Sequence, residues 1–134
     1  MPCSFKKDLT ALAEIFPFLE QELASHHASS ATVYAVSLAV EELFTNMVKY
    51  SLPGAGTVAI SVGTVPGSCC IVMEECGVDP FDPTAIGKVD LARHTEVGRP
   101  GGLGLHLVRH LVDNVRHDYR NHCNVITFTK DLES

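Results

Sequence analysis

The chain has 134 residues, of which 46% are hydrophobic and 19% charged, and its formal net charge is −6. This length suits one domain with its own core, and the composition is too apolar for a disordered chain. The acidic balance argues against nucleic acid as a direct partner, because neutralising phosphates requires clustered Lys and Arg. No apolar run reaches the roughly 18 to 20 residues of a membrane span, and no signal peptide is recognisable. We therefore expect residues 1–134 to form a single cytoplasmic domain with no membrane partner.

Two amphipathic helices are predicted in the N-terminal third of the chain. From Asp8 to about His26 the apolar residues recur at steps of three and four, which places them in one stripe along a helix. Pro17 is expected to kink or divide this helix. A polar loop then ends in a Ser or Thr cap, and a second helix is predicted from about Thr32 to Tyr50.

The middle of the chain carries the pattern of a β-hairpin followed by a long loop. Residues 57–62 and 68–74 read as strands joined by a turn at Pro66 and Gly67. Residues 77–102 are rich in glycine and proline and contain only a short candidate helix. Long loops in small domains are usually functional or mobile, so this segment is a candidate for part of a binding site.

The C-terminal part of the chain is predicted to form one more helix and a second hairpin. An amphipathic helix follows the glycine-rich stretch and ends near Asp113. Strands are expected at 114–120 and 124–130, with a turn at Asn121 and His122. Helices on one face of a mostly antiparallel sheet define an α+β fold, a two-layer α/β sandwich.

The cysteines do not follow a recognised framework. There are five of them, an odd number, and only Cys69 and Cys70 are adjacent. None forms a Cys-x-x-Cys pair. This spacing predicts neither a disulfide framework nor a zinc site.

The first candidate for chemistry is the stretch VEELFTNMVKYS, residues 40–51, on the second predicted helix. Glu42 and Asn46 are four residues apart, so both side chains project from one face. An asparagine offers a neutral oxygen to a hard cation such as Mg²⁺, and a nearby carboxylate can accept a proton from a reacting hydroxyl. Alternatively, both residues lie on a solvated face while Leu43 and Met47 point inward.

The second candidate is the run GRPGGLG, residues 98–104, which leads directly into a helix. Glycine-rich backbone exposes N–H groups, and a helix N-terminus adds about half a positive charge, so this junction favours an anion. Neither a P-loop nor a Rossmann turn fits, because the required lysine and the preceding strand are missing. The alternative is a flexible loop with a tight turn.

The third candidate is the stretch EECGVDPFDP, residues 74–83, at the end of a predicted strand. A carboxylate at a strand end, beside a glycine that lets a ring approach, can accept a hydrogen bond from an exocyclic amine. A strand that simply ends in solvated carboxylates has the same pattern.

Taken in order, these stretches resemble the N, G1 and G2 boxes of the GHKL (Bergerat-fold) ATPases. The matching residues are ELFTN, then ECG with PFDP, then RPGGLGLHLVRHLVD. Within that superfamily, the small size and the last two stretches are similar to the bacterial anti-sigma factor serine kinases. The resemblance covers roughly residues 5 to 130.

The resemblance implies a role for each matching residue. Glu42 would be the general base, Asn46 would hold Mg²⁺ against the triphosphate of ATP, and Lys49 would lie near the phosphates. Glu75 would accept the adenine amine, and Gly77 would leave room for the ring. Residues 84–100 would form a lid, to which Arg99 adds charge. The backbone N–H groups that would hold phosphate belong to Gly102, Leu103, Gly104 and Leu105.

Three departures from the family pattern are visible. The family normally has aspartate at the position of Glu75, whose side chain is one methylene longer. One extra residue lies between Gly77 and Phe81, and Tyr50 stands where a histidine often closes the first box.

The resemblance predicts an ATP- and Mg²⁺-dependent serine kinase. Its substrate would be an anti-sigma factor antagonist, and it would also sequester a sigma factor and form a homodimer. The alternative is a nucleotide-gated protein-binding module, in which ATP sets the affinity for a partner without phosphoryl transfer.

Overall fold

In the computed structural model, which describes residues 2–51, 56–82 and 108–133, five antiparallel strands form one sheet. Their order across the sheet is β1-β2-β3-β5-β4. The strands, in chain order, are β1 (Cys3–Lys6), β2 (Thr57–Val65), β3 (Ser68–Cys76), β4 (Asp113–Arg120) and β5 (Cys123–Asp131). The predicted α+β class is therefore confirmed, and both predicted hairpins are present.

Two helices pack against the sheet. A 3₁₀ turn (Leu9–Ala11) leads into α1 (Leu12–Ser25), and α2 spans Ser30–Tyr50. Pro17 does not divide α1, which continues through it. The cap of α2 is Ser29, whose hydroxyl accepts a hydrogen bond from the Thr32 backbone N–H at 3.1 Å. This cap satisfies one of the four N–H groups that a helix N-terminus leaves unpaired.

The core lies between the helices and one face of the sheet. The apolar stripes of α1 and α2 supply Ile15, Leu19, Leu43 and Phe44, all fully buried. Alternate residues of β3 face these helices, because side chains alternate between the two sides of a strand. The inward-facing residues of β3 are Cys69, Ile71, Met73 and Glu75. Glu75 thus continues an apolar row and is carried to the helix side of the sheet.

Positive backbone angles explain the turn between β4 and β5. Asn121 and His122 have φ values of 54° and 61°. A two-residue hairpin loop with both residues left-handed matches the right-handed twist of the strands, and asparagine tolerates this conformation. The predicted turn is therefore confirmed. The short edge strand β1 was not predicted, because four residues carry too little alternation to be recognised.

The described residues contain only the last part of the third predicted helix, where residues 108–111 are helical. The predicted lid and the glycine-rich stretch lie outside the described residues. No helix among the described residues combines the length and the hydropathy that a membrane crossing requires.

The cysteine spacing predicted no disulfide framework, but the structure contains a disulfide that this prediction missed. Cys76 and Cys123 are directly opposite each other on β3 and β5, and their sulfur atoms are bonded. The two residues are separated by 47 positions in the chain, so only the strand pairing brings them together. Cys3, Cys69 and Cys70 are free thiols.

Reducing this disulfide should lower the free energy of unfolding. By the chain-entropy model, a sequence separation of 47 residues corresponds to a loss of about 4 kcal/mol. Urea unfolding with and without dithiothreitol measures the difference. Cys123→Ser should have the stability of the reduced protein both with and without dithiothreitol. Cys70 is a free thiol on the same strand as Cys76, so Cys70→Ser should respond to the reductant as wild type does. Equal stabilities of the oxidised and reduced protein would contradict this prediction.

Candidate functional site

Glu42, Asn46 and Lys49 lie along one face of α2, at spacings of four and seven residues. Their exposure differs strongly along this face: Lys49 is exposed, Glu42 is half-buried and Asn46 is only 2% exposed. The alternative that this face is solvated is therefore wrong for Asn46. The helix carries an amide into the interior and leaves a carboxylate one turn earlier at the edge of the solvent.

The environment of Glu42 favours its neutral form more than water does. Burial is the main cause that raises the pKa of Glu42 above its ordinary value, and the neighbouring Glu41 carboxylate raises it further. The ammonium of Lys49 acts in the opposite direction. A raised pKa makes a carboxylate a stronger base once it is ionised, which suits proton abstraction from a hydroxyl.

A buried ion pair joins the N-terminus of the chain to the end of β3. Lys7 Nζ lies 3.0 Å from Glu75 Oε2, and both side chains are 1% exposed. The same ammonium donates a hydrogen bond to the backbone oxygen of Ser51, the residue that caps α2, at 3.2 Å. A lysine that no sequence motif contains thus lies beside the acid expected to recognise adenine.

Three buried polar atoms in this region have no hydrogen-bond partner among the described residues. They are Asn46 Nδ2, Ser51 Oγ and Glu75 Oε1. An unpaired buried polar atom costs roughly 1 to 3 kcal/mol, so such atoms are rare unless a ligand or water pairs with them. Asn46 lies in the C-terminal part of α2, Ser51 caps that helix, and Glu75 lies at the strand end that Lys7 links to Ser51. A ligand with its own donors and acceptors fits this set of residues.

The segment after β3 is held against β4 and β5. Gly77 has φ of 72°, a left-handed conformation that glycine adopts without strain, and its N–H donates to the His122 oxygen at 2.8 Å. The Tyr119 hydroxyl donates to the Val78 oxygen at 2.7 Å. A Cβ added at Gly77 would meet no described atom within 4 Å, so the side of this backbone is open.

Asn124 is a positioning residue that sequence reasoning did not identify. It lies on β5 opposite Glu75 and is fully buried. Its Oδ1 accepts from the Phe81 N–H at 3.1 Å, and its Nδ2 donates to the Asp79 oxygen at 3.2 Å. These bonds fix the segment that follows Gly77. No sequence signal marked Asn124, because the segment that it holds is more than 40 residues away in the chain.

An aromatic contact joins α2 to this segment. The rings of Tyr50 and Phe81 have centroids 6.4 Å apart. The end of α2, which carries Asn46, therefore meets the segment that follows Glu75 and Gly77. Thus the structure brings two of the three sequence motifs together at one end of the sheet.

The glycine-rich motif at residues 98–104 lies outside the described residues. Arg99, together with Gly102, Leu103, Gly104 and Leu105, lies outside the described residues. Their assignment to phosphate binding stays a prediction from the sequence.

The chain matches the family model described as a histidine kinase-like ATPase domain, over residues 5–130. It therefore belongs to this family, as the resemblance to the GHKL ATPases predicted. An ATPase domain implies a site for ATP, and the buried polar atoms described above fit such a ligand. A comparison with curated proteins finds no match.

Among solved structures, the chain is similar to the crystal structure of the RsbU and RsbW domains of Rv1364c from Mycobacterium tuberculosis. The TM-score is 0.63 at 17% sequence identity, and the match covers 98% of this chain. The chain spans 32% of the length of that protein. At this identity the similarity shows the fold.

Proposed function

We propose that this protein is an ATP- and Mg²⁺-dependent serine kinase acting on an anti-sigma factor antagonist, and that it sequesters a sigma factor. The observation that carries the proposal is the half-buried carboxylate of Glu42 one turn before the buried amide of Asn46, in a histidine kinase-like ATPase domain. The RsbW domain in the similar structure supports the assignment to an anti-sigma pathway. A cytoplasmic location and a homodimer complete the proposal.

In this proposal Glu42 accepts the hydroxyl proton of the substrate serine. The oxygen of that hydroxyl attacks the γ-phosphorus of ATP. The bond to the bridging oxygen of the β-phosphate breaks, and ADP leaves with the electron pair. Phosphoryl transfer requires mainly positioning and charge neutralisation, so one base and a set of phosphate ligands suffice. The carboxylate of Glu42 is suited to this role because it is partly desolvated and lies at the solvent edge.

The remaining residues bind the nucleotide. Asn46 would hold Mg²⁺ through its amide oxygen, and this ion, when bound, neutralises negative charge on the phosphates. Lys49 contributes a positive charge near them, and Glu75 accepts the exocyclic amine of adenine. The open side of Gly77 leaves room for the base. Arg99 and the backbone from Gly102 to Leu105 are proposed to contact the phosphates.

Labelled ATP distinguishes this function from the nucleotide-gated module. The protein is incubated with γ-labelled MgATP and a candidate anti-sigma factor antagonist, and the antagonist is analysed for phosphoserine by mass spectrometry. The kinase proposal expects label on the antagonist. Retention of ATP without phosphoserine would support the binding module, and absence of ATP binding by calorimetry would remove both functions.

The pH dependence of transfer tests the assignment of the base. Activity should fall as the pH decreases, because the protonated Glu42 cannot accept a proton. Since burial and Glu41 raise the pKa of Glu42, this fall should occur at a higher pH than for an exposed glutamate. Glu41→Gln removes a like charge and should move the fall to lower pH, whereas Lys49→Met removes an opposite charge and should move it to higher pH.

The measurement is kcat against pH for wild type and for both variants. The acid side of the profile should move to lower pH in Glu41→Gln and to higher pH in Lys49→Met. A general loss of stability would not move the two profiles in opposite directions. If neither variant moves the acid side of the profile, Glu42 is not the group that controls it.

A further inference from the structure

Lys7 has a buried side chain, unlike an ordinary surface lysine. The residue follows β1, and its backbone N–H donates to the Gly56 oxygen at 2.9 Å, which holds it beside the start of β2. Its ammonium is buried between the Ser51 oxygen and Glu75 Oε2. Burying an ammonium is costly unless it is paired, so this arrangement requires a partner such as the Glu75 carboxylate.

Because of the ion pair with Lys7, the two carboxylate oxygens of Glu75 differ in their hydrogen bonding. Oε2 is bonded to Lys7, whereas Oε1 is buried and has no partner among the described residues. Ser51 Oγ, in the residue that also binds Lys7, is likewise buried without a described partner. The site therefore offers one carboxylate oxygen as an acceptor and one hydroxyl that can donate or accept.

We propose that Lys7 is a positioning residue that sets the base specificity of the nucleotide site, selecting adenine over guanine by occupying one oxygen of Glu75. This inference rests on the proposed function, because it assumes that the base binds at Glu75. It adds a residue that the resemblance to the family does not include.

The edges of the two purines differ in the number of adjacent donors. Adenine presents one donor, its exocyclic amine, next to a ring nitrogen that accepts. One free oxygen satisfies the amine, and a hydroxyl such as that of Ser51 suits the ring nitrogen. Guanine presents two adjacent donors, a ring N–H and an amine, and these pair best with both oxygens of a carboxylate.

In this site the second guanine donor would meet an oxygen that Lys7 already occupies. A buried donor left unpaired costs about 1 to 3 kcal/mol, which corresponds to a discrimination of roughly 5- to 150-fold. The positive charge of Lys7 next to the donor adds to the discrimination. Wild type should therefore bind ATP at least about fivefold more tightly than GTP.

The test is the ratio of the Kd values for GTP and ATP, measured by calorimetry with magnesium at low temperature. Lys7→Met frees both oxygens of Glu75 and should reduce the ratio at least about fivefold, mainly through tighter binding of GTP. Lys6→Met is the matched control, because Lys6 is the exposed neighbour and its substitution removes the same charge. This control should keep the wild-type ratio. An unchanged ratio in folded Lys7→Met would overturn the proposal.

A second measurement uses only the wild-type protein, in case Lys7→Met does not fold. Purine riboside triphosphate lacks the exocyclic amine and should bind at least tenfold more weakly than ATP, because Glu75 Oε1 then has no donor. Equal binding of this analogue, or of GTP, would overturn the proposal while leaving ATP binding intact. A wild-type protein that binds no ATP would instead remove the proposed function itself.

Discussion

Replacing Glu42 by alanine is expected to reduce phosphoryl transfer by roughly 10²- to 10⁴-fold, the usual contribution of a general base. The affinity for ATP should change little, because the base acts mainly in the transition state. Glu42 is half-buried on α2, so its replacement removes little packing. Single-turnover transfer to the antagonist measures the rate, and calorimetry with MgATP measures the affinity.

Glu41→Ala is the matched control for this experiment. Glu41 is the neighbouring carboxylate, is also half-buried and belongs to none of the proposed binding residues. Its replacement should leave transfer within a few-fold of wild type at neutral pH. If Glu42→Ala transfers phosphate at the wild-type rate, Glu42 is not the base. If it loses transfer and ATP binding together, its role is in the site's structure.

Replacing Lys7 by methionine should lower the free energy of unfolding by about 3 to 5 kcal/mol, because it leaves the Glu75 carboxylate buried without its cation. This is a large part of the stability of a small domain. Lys6→Met, on the exposed neighbour, should change the stability by no more than about 0.5 kcal/mol. Urea unfolding at constant pH measures all the variants.

The double variant Lys7→Met, Glu75→Met separates the cost of an unpaired charge from the value of the pair. Replacing a buried ion pair by apolar residues of similar volume is often neutral or stabilising. The double variant should therefore recover most of the stability that Lys7→Met loses. A double variant as unstable as the single one would mean that the pair itself, or the packing of the lysine stem, stabilises the fold.

The ion pair also gives a physical account of the longer acid at position 75. The family normally has aspartate here, and Glu75 has one methylene more. The structure uses the longer side chain to reach Lys7 Nζ at 3.0 Å while Oε1 stays unpaired among the described residues. The other two departures from the family pattern also have contacts in the structure. Tyr50 contacts Phe81, and the segment from Val78 to Phe81, which contains the extra residue, is hydrogen-bonded to β4 and β5.

Local physics was sufficient to predict most elements of the fold. The 3.6-residue period located α1 and α2, the two-residue period located β2 to β5, and the glycine and asparagine residues marked the turns. The helical period also placed Glu42 and Asn46 on one face. These features depend on neighbours within a few residues in the chain, so the sequence determined them by itself.

Only the tertiary structure decided which of these side chains are buried and what they contact. Asn46 could have faced solvent until the packing of α2 showed otherwise. Lys7 meets Glu75 across 68 residues, Asn124 meets Phe81 across 43 and Cys76 meets Cys123 across 47. Such contacts are set by strand order and register, which no local period encodes. Three features are therefore determined by the fold: the ion pair beside the candidate adenine site, the hydrogen bonds of Asn124 to the segment after Gly77, and the disulfide.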